Sequence, residues 1–416
     1  MTTQIPSRPG AGGGDAGFTL IELLVTLTIT VAIMTVVLSA VDLNANITRV
    51  QSDVSDLQQS TRIAQRDMQR MVRMVGRGGL PRNRSIEVLQ DAESLEIGGE
   101  PVLDDTDVIT VRGAFASPVF RVDASDEDSF QIAGTTATLV IDDVTKSAFE
   151  QPLGALHAIH DENAGTTTPD AILLVGSQGE SVYAVVEVTD LQFQTVTLDV
   201  QNQSREIERA ILTLSIDAAA GGHADDYLAL STIPGATRIP SNLTAVAFAS
   251  VLEEHRFYIR EDFSIPGDDT SAPSPKLARA RMLPGTDELH PGDGSIDIAD
   301  NVFDLQVALG IDLDTNGRID IEDGAGVPLE THLDEWLWND EADDETLSWD
   351  AFPLQHVRLT LLGQAQTADR QYISPAIDDI ENRVYSEPAV PLSGGEVEAR
   401  RYRRRLLQST VDLRNL

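Results

Sequence analysis

The stretch Gly17-Phe18-Thr19-Leu20-Ile21-Glu22 decides how this chain is built, because it opens an apolar run of membrane-spanning length. The run extends from Phe18 to Val41, and Glu22 is its only ionisable side chain. At about 1.5 Å per residue, a helix of this length crosses a hydrocarbon core roughly 30 Å thick. A carboxylate inside such a segment costs about 2.5 to 3.5 kcal/mol to insert, so a functional partner is expected. The simpler interpretation is a glutamate near the helix end whose carboxylate reaches the interface.

A polar segment, residues 1–17, precedes the apolar run and ends in glycine. A secretory signal peptide is cleaved after its apolar core, whereas cleavage at Gly17 would lie before the core. The apolar helix would then remain in the mature protein as a single membrane anchor.

This N-terminus resembles the prepilin leader and N-terminal signature of type IV pilins and of the related pseudopilins of type II secretion. The resemblance implies that a prepilin peptidase cuts between Gly17 and Phe18 and methylates the new amine of Phe18. It also implies that Glu22 pairs with the Phe18 amine of an adjacent subunit as the helices bundle into a filament. A charge that is costly in lipid is better placed beside a cation than alone. The leader carries one basic residue, Arg8, and also Asp15, which weakens the orientation signal from positive charge.

The chain has 416 residues, of which 41% are hydrophobic, and this composition predicts a folded head rather than a disordered passenger. Cysteine is absent, so a periplasmic head would have no disulfides and would depend on packing or on bound ions. The formal net charge of −37 disfavours direct binding of nucleic acid or anionic lipid. Solubility is the simpler explanation of this charge, and recruitment of divalent cations is the alternative.

The helical pattern continues beyond the apolar run. Apolar residues from Ile47 to Val75 recur at alternating spacings of three and four, which indicates one apolar stripe on a helix. We predict one helix over residues 18–78, with its transmembrane half at 18–41 and its second half laid against a globular head. Five arginines share one face of the second half, either as a solvated charged face or as a contact to an acidic surface. They are Arg62, Arg66, Arg70, Arg73 and Arg77.

From Ser85 onward, short alternating or β-branched runs are separated by Gly, Asp, Pro and Ser, which predicts strands. No helix-length pattern lies between them, so antiparallel sheets are expected rather than βαβ units. The predicted fold is therefore α+β, with a long N-terminal helix packed against a large antiparallel β-rich head over residues 79–416. A loop-like stretch suggests a boundary between two subdomains near 267–285. The predicted strands are 85–97, 107–112, 137–141, 171–175, 183–188, 192–200, 210–216, 246–251, 256–260, 302–311, 356–362 and 406–413.

A second informative stretch is Asp312-Leu313-Asp314-Thr315-Asn316-Gly317-Arg318-Ile319-Asp320-Ile321-Glu322-Asp323, which follows the spacing of an EF-hand loop. Calcium takes six to eight oxygen ligands, and this spacing wraps them around one ion with glycine at the sharp turn. Position twelve departs from the pattern because it is aspartate rather than glutamate, and the preceding segment alternates like a strand. We expect an EF-hand-like Ca²⁺ site inside the head, or a turn that needs no ion. The expected ligands are Asp312, Asp314, Asn316, the Arg318 carbonyl, Asp320 and Asp323.

No catalytic set stands out, and the chain is not expected to be an enzyme. The sequence contains no Walker loop, no G-x-S-x-G elbow and no H-E-x-x-H helix. His157 and His160 have ligand-like spacing without an apparent third ligand, which favours a structural role. A basic run at 400–405 is interpreted as offsetting the acidic surface, with binding of an anion or DNA as the alternative.

Three later segments, residues 105–112, 302–320 and 402–415, resemble minor pilins of the PilW kind. The resemblance implies a low-abundance subunit that helps prime the assembly of a type IV pilus, near the filament tip. Its implied partners are other minor and major pilins, the prepilin peptidase and the inner-membrane assembly platform. The implied location is the inner membrane, with the head in the periplasm before incorporation into the pilus at the cell surface. The alternatives are a type II secretion minor pseudopilin of the GspJ kind and a membrane-anchored, calcium-dependent adhesin.

Overall fold

The computed structural model describes residues 19–123, 126, 128–142, 153–161, 166–167, 169–177, 182–200, 203–232, 237–261, 275–312, 319, 335–338, 354–369, 372–377, 379–385, 397 and 400–413. By its internal contacts the chain divides into two compact units, residues 1–55 and 56–416. The helices are α1 (Leu20–Arg73), α2 (Arg82–Ser85), α3 (Gly154–Ala158) and α4 (Ala224–Ala229), with a 3-10 turn at Ala218–Ala220.

The strands of the described residues are β1 (Ile86–Ala92), β2 (Glu96–Ile97), β3 (Glu100–Pro101), β4 (Thr106–Gly113), β5 (Phe120–Arg121), β6 (Phe130–Ala133), β7 (Thr136–Asp142), β8 (His160–Asp161), β9 (Thr166–Thr167), β10 (Ala171–Gly176), β11 (Tyr183–Val200), β12 (Gln203–Ser215), β13 (Val246–Arg260), β14 (Lys276–Met282), β15 (Ser295–Asp300), β16 (Val302–Ile311), β17 (Trp336–Leu337), β18 (Leu354–Gln364) and β19 (Arg404–Asp412).

The largest sheet joins eleven strands, in the order β1-β4-β13-β10-β11-β12-β7-β6, with β5 and the β14–β15 hairpin attached to β13. Strand β13 joins the two halves of this sheet. The first half of β13 pairs with β10, and its second half pairs with β4 and β14. A second sheet has the order β17-β16-β18-β19. The strand pairs of the described residues are antiparallel, which confirms the α+β class predicted from the alternating pattern.

The last turns of α1 share a core with both of these sheets. Buried side chains on α1, among them Ala64, Met68 and Val72, lie in one cluster with Ile109 of β4 and Leu359 of β18. A separate core fills the other half of the large sheet, between β7, β10, β11, β12 and the start of β13. From Leu57 to Val75 the apolar stripe is therefore buried against the head, as the spacing of its residues predicts, whereas Ile47 is 46% exposed.

The backbone turns sharply after α1 ends. Gly76, Gly78 and Gly79 all have positive φ, a conformation that glycine adopts without steric cost. The Gly76 N–H donates to the Arg112 carbonyl at 3.1 Å, and the Ala114 N–H donates to the Arg77 carbonyl at 2.8 Å. This turn is thereby tied to the end of β4.

Several strands differ from those predicted. Residues 183–188 and 192–200 belong to one strand, β11, because the register shift between Val188 and Asp190 absorbs the polar interruption without ending the pairing. The hairpin of β14 and β15 was not predicted, since its alternation uses Ala and Arg rather than strongly β-forming residues. The proposed subdomain boundary near 267–285 includes 267–274, which lie outside the described residues, and Lys276–Met282, which pair with β13.

Candidate functional site

The first helical turn is organised around Glu22. Helix α1 begins at Leu20, and Thr19 stands immediately before it. The Glu22 Oε2 atom accepts the Thr19 N–H and the Thr19 hydroxyl, each at 3.0 Å. The Glu22 N–H in turn donates to the Thr19 Oγ1 atom at 3.3 Å. This reciprocal arrangement is a capping box, which satisfies backbone donors that the helix start leaves unpaired.

The capping box was missed in the sequence, although Thr19-Leu20-Ile21-Glu22 has its T-x-x-E spacing. It gives Glu22 a role within its own chain in addition to the pairing with an adjacent subunit that the resemblance implies. Gly17 and Phe18, the predicted cleavage and methylation residues, lie outside the described residues.

In the apolar half of α1, threonine hydroxyl groups form hydrogen bonds within the helix itself. The hydroxyls of Thr28, Thr30 and Thr35 donate to carbonyls four residues earlier, at 2.7 to 2.8 Å. In a hydrocarbon solvent each polar group needs a partner within the segment, so these bonds lower the cost of insertion. Within the described residues, α1 is the helix that is long and apolar enough to cross a membrane.

From Leu57 onward, α1 is fixed to the head by polar contacts as well as by the core. The Asp67 carboxylate lies 2.9 Å from Arg279 Nη1 of β14, with both side chains about one quarter exposed. The Ser60 hydroxyl donates to the Asp300 carbonyl at 2.9 Å. At Gly363 of β18, an added Cβ would stand only 2.7 Å from a methyl carbon of Leu57. The helix therefore approaches the β18 backbone so closely that a side chain there would meet it.

A buried carboxylate links the large sheet to the second sheet. Asp107 of β4 is fully buried, and its two oxygens accept the Asp91 N–H at 3.1 Å and the Val307 N–H at 2.7 Å. Burial raises the Asp107 pKa to about 8, although these N–H donors oppose the rise. The nearby Asp304 of β16 is also buried, and burial raises its pKa while Arg383, 2.8 Å away, lowers it. Sequence reasoning missed this junction, and the one signal for it is an aspartate at the start of a fully buried strand.

The predicted cation loop follows directly after β16. Asp312, at loop position one, is buried, and its Oδ2 atom accepts the Gln355 amide N–H at 2.6 Å. Ile319, at loop position eight, approaches β16 so closely that a Cβ on Gly310 would stand 3.3 Å from it. Asp314, Asn316, Arg318, Asp320 and Asp323 lie outside the described residues. Among the residues that are described, no group of three or more His, Asp or Glu side chains is arranged to hold a metal ion.

The remaining candidates have structural partners. The His157 Nε2 atom lies 3.2 Å from Glu208, and its ring stacks on Phe193 with centroids 3.8 Å apart. The side chain of His160 lies outside the described part of the chain. In the basic run, the buried Arg400 donates to the Ser374 carbonyl at 2.8 Å, and Arg403 lies 2.8 Å from Asp369. These arginines form internal contacts within the head.

Comparison with family models identifies one match, the prokaryotic N-terminal methylation motif, over residues 14–40. Comparison with the curated proteins and with the solved structures finds no significant match. The matched segment contains the capping box and most of the apolar half of α1. The motif supports a protein of the type IV pilin or pseudopilin class, made with a prepilin-type signal and anchored by its apolar helix. Such a motif points to a structural subunit and, in general, to association with other pilins and with the prepilin peptidase.

Proposed function

We propose that this chain is a minor pilin of the PilW kind, which helps prime the assembly of a type IV pilus from the inner membrane. The observation that carries the proposal is the methylation motif over residues 14–40, on an apolar helix whose one ionisable residue before Val41 is Glu22. The helix would enter the growing filament, and the head, first exposed in the periplasm, would select the neighbouring subunits. No catalytic step is needed for this role.

The three segments that resemble the PilW kind lie close together in the head. These segments contain most of β4 and all of β16 and β19, which are far apart in sequence. The Asp107 carboxylate joins β4 to β16 by accepting the Val307 N–H at 2.7 Å, and β18 pairs with both β16 and β19. The resemblance therefore falls on one connected region of the head.

Two roles of Glu22 can be separated by substitution. Glu22→Gln keeps an oxygen that can accept the Thr19 N–H, and glutamine is as suitable as glutamate in a capping box. It removes the negative charge that would pair with the Phe18 amine of an adjacent subunit. Thr19→Ala is the matched control, since it removes the hydroxyl of the capping box and keeps the Glu22 charge.

We expect surface pili to be lost in a Glu22→Gln strain and retained in a Thr19→Ala strain, with both proteins present in the membrane at wild-type levels. Electron microscopy of sheared filaments and immunoblots of the membrane fraction provide the two measurements. If both strains and a strain that lacks the gene all retain pili, the proposal is contradicted and a membrane-anchored adhesin is favoured.

We also propose that residues 312–323 bind Ca²⁺ in the head. The spacing of oxygen ligands carries this proposal, and two contacts support it. Gln355 orients the buried carboxylate of Asp312, and Ile319 lies against β16, where the apolar residue at position eight of such a loop is expected to pack. The bound ion would supply positive charge to a strongly acidic head and fix the loop at the end of β16.

Calorimetry on the full-length protein in detergent tests calcium binding. We expect heat of binding at millimolar Ca²⁺ or below, the range of extracellular calcium modules. Asp314→Ala should abolish it, and Glu288→Ala, which removes an exposed carboxylate elsewhere, should leave it unchanged. Wild-type protein that releases no heat, or equal heats for the two variants, would overturn this assignment.

A further inference from the structure

Three arginines on α1 form one exposed surface, which we call the arginine stripe: Arg62, Arg66 and Arg70. All three side chains are exposed. At about 100° of rotation per residue they fall within a sector of about 80°. The buried positions from Leu57 to Val72 centre on the opposite side of the same helix. The stripe therefore faces away from the core that α1 shares with the head.

The described part of the head supplies no partner for this stripe. Among the described residues, none of the three arginines takes part in an ion pair or a side-chain hydrogen bond. Asp67, the acidic residue that lies among them in sequence, is bound to Arg279. The chain contains 67 acidic residues, yet none of those in the described ranges pairs with these three guanidinium groups.

Ordinary helix energetics does not account for the pattern. Arginine in the last turn interacts favourably with the helix dipole, which explains Arg70 but neither Arg62 nor Arg66. Like charges four residues apart repel, and the stripe contains two such pairs. A solvated helix face gains stability from mixed charges, so a stripe of one sign is better explained by a partner of the opposite sign.

We propose that the arginine stripe docks against a carboxylate-rich surface of a neighbouring protein subunit. This inference rests on the proposed function, because it requires that α1 lies beside other subunits in an assembly. Guanidinium groups bind carboxylates through two parallel hydrogen bonds, which favours an acidic protein surface as the occupant. The stripe follows the apolar run only after residues 42–61, whereas lipid-binding basic clusters lie next to the membrane segment. The net charge of −37 opposes binding to nucleic acid.

Photo-crosslinking in the native membrane tests this contact. Ile63 is 46% exposed and lies beside the stripe, so a benzoylphenylalanine placed there reports what covers it. We expect an adduct with a second protein subunit, in which the crosslinked peptide is rich in Asp and Glu. Reversal of the stripe by R62E, R66E and R70E together should lower the adduct yield about tenfold or more. The corresponding three lysine substitutions should retain most of the adduct, since they keep the charge.

Matched controls make the outcome decisive. Arg121→Glu reverses an exposed arginine elsewhere on the head and should not change the yield. Arginines placed at the acidic positions of the crosslinked peptide should restore the adduct in the reversed stripe variant. Three results would each overturn the inference: equal adduct yields from wild-type and reversed stripes, an adduct only with lipid or nucleic acid, or no adduct. The two proposals can fail separately. If the reversed stripe does not change the adduct yield while the Glu22→Gln strain still lacks pili, the docking surface is rejected and the proposed function stands.

Discussion

At the scale of single residues, Arg112 has two carboxylate partners that differ in their exposure to solvent. Glu254 Oε2 lies 2.6 Å from Arg112 Nε and its side chain is fully buried, whereas Glu87 lies 2.7 Å from Arg112 Nη2 and is 63% exposed. Glu254 also accepts the Gly285 N–H at 2.8 Å. Removing a buried charge is costly because its partner remains buried without a counter-charge. Removing an exposed charge costs little, because water solvates the partner that remains.

Glu254→Gln is therefore expected to lower the free energy of unfolding by about 3 to 5 kcal/mol, because it leaves the buried Arg112 without its closest counter-charge. The same change at Glu87 is expected to cost under about 1 kcal/mol. Urea denaturation of the full-length protein in detergent, followed by tryptophan fluorescence, measures both values. Equal losses for the two variants would contradict the account of this ion pair.

Asp107 is expected to make stability depend on pH. Burial raises its pKa in the folded protein to about 8, well above the value of about 3.9 in an unfolded chain. The folded protein then binds the additional proton, so the contribution to stability is complete below about pH 4 and is lost as the pH rises towards 8.

Asp107→Asn should flatten this dependence, because asparagine does not titrate in this range. It should also lower stability at every pH by about 1 to 3 kcal/mol, since its amide N–H₂ group cannot accept one of the two backbone N–H donors. Denaturation curves of both proteins at pH 5 and pH 8 give the difference. A wild-type protein that loses no more stability than the variant over this interval would refute the assignment.

At the scale of secondary-structure elements, the close approach of α1 to β18 depends on Gly363. A Cβ at this position would stand 2.7 Å from a methyl carbon of Leu57 and 3.0 Å from the Thr61 hydroxyl oxygen. Gly363→Val is expected to cost about 1 to 3 kcal/mol, because the added methyl groups enter a filled interface. Gly294→Val is the matched control, since a Cβ there meets nothing within 4 Å. Thermal unfolding in detergent compares the two, and equal melting temperatures would show that the helix is not packed this closely.

Strand β13 shows where prediction from sequence fails at this scale. Its ends were predicted as separate strands, 246–251 and 256–260, because the polar run from Glu253 to His255 interrupts the apolar pattern. In the structure the run is buried and the strand continues. Glu253 accepts the Ala116 N–H at 2.9 Å, and Glu254 pairs with Arg112. These partners lie more than a hundred residues away in the chain, so no local pattern identifies them.

At the scale of the whole molecule, local periodicity was sufficient to predict the class of the fold. The three- and four-residue spacing from Ile47 to Val75 predicted the helix, and alternating runs predicted most of the strands. The pairing of β4 with β13 and the contact between β4 and β16 could not be predicted, because they join residues far apart in the chain, such as Asp107 and Val307. At the N-terminus the functional motif is local, and for that reason the sequence alone indicated it.

Intact-mass and N-terminal analysis of the protein purified from its native membrane tests the central claim most directly. We predict a mature chain that begins at Phe18 with one methyl group on its amine and that retains the apolar helix. A chain that still begins at Met1, or one that is cut after the apolar run, would contradict the assignment to the pilin class.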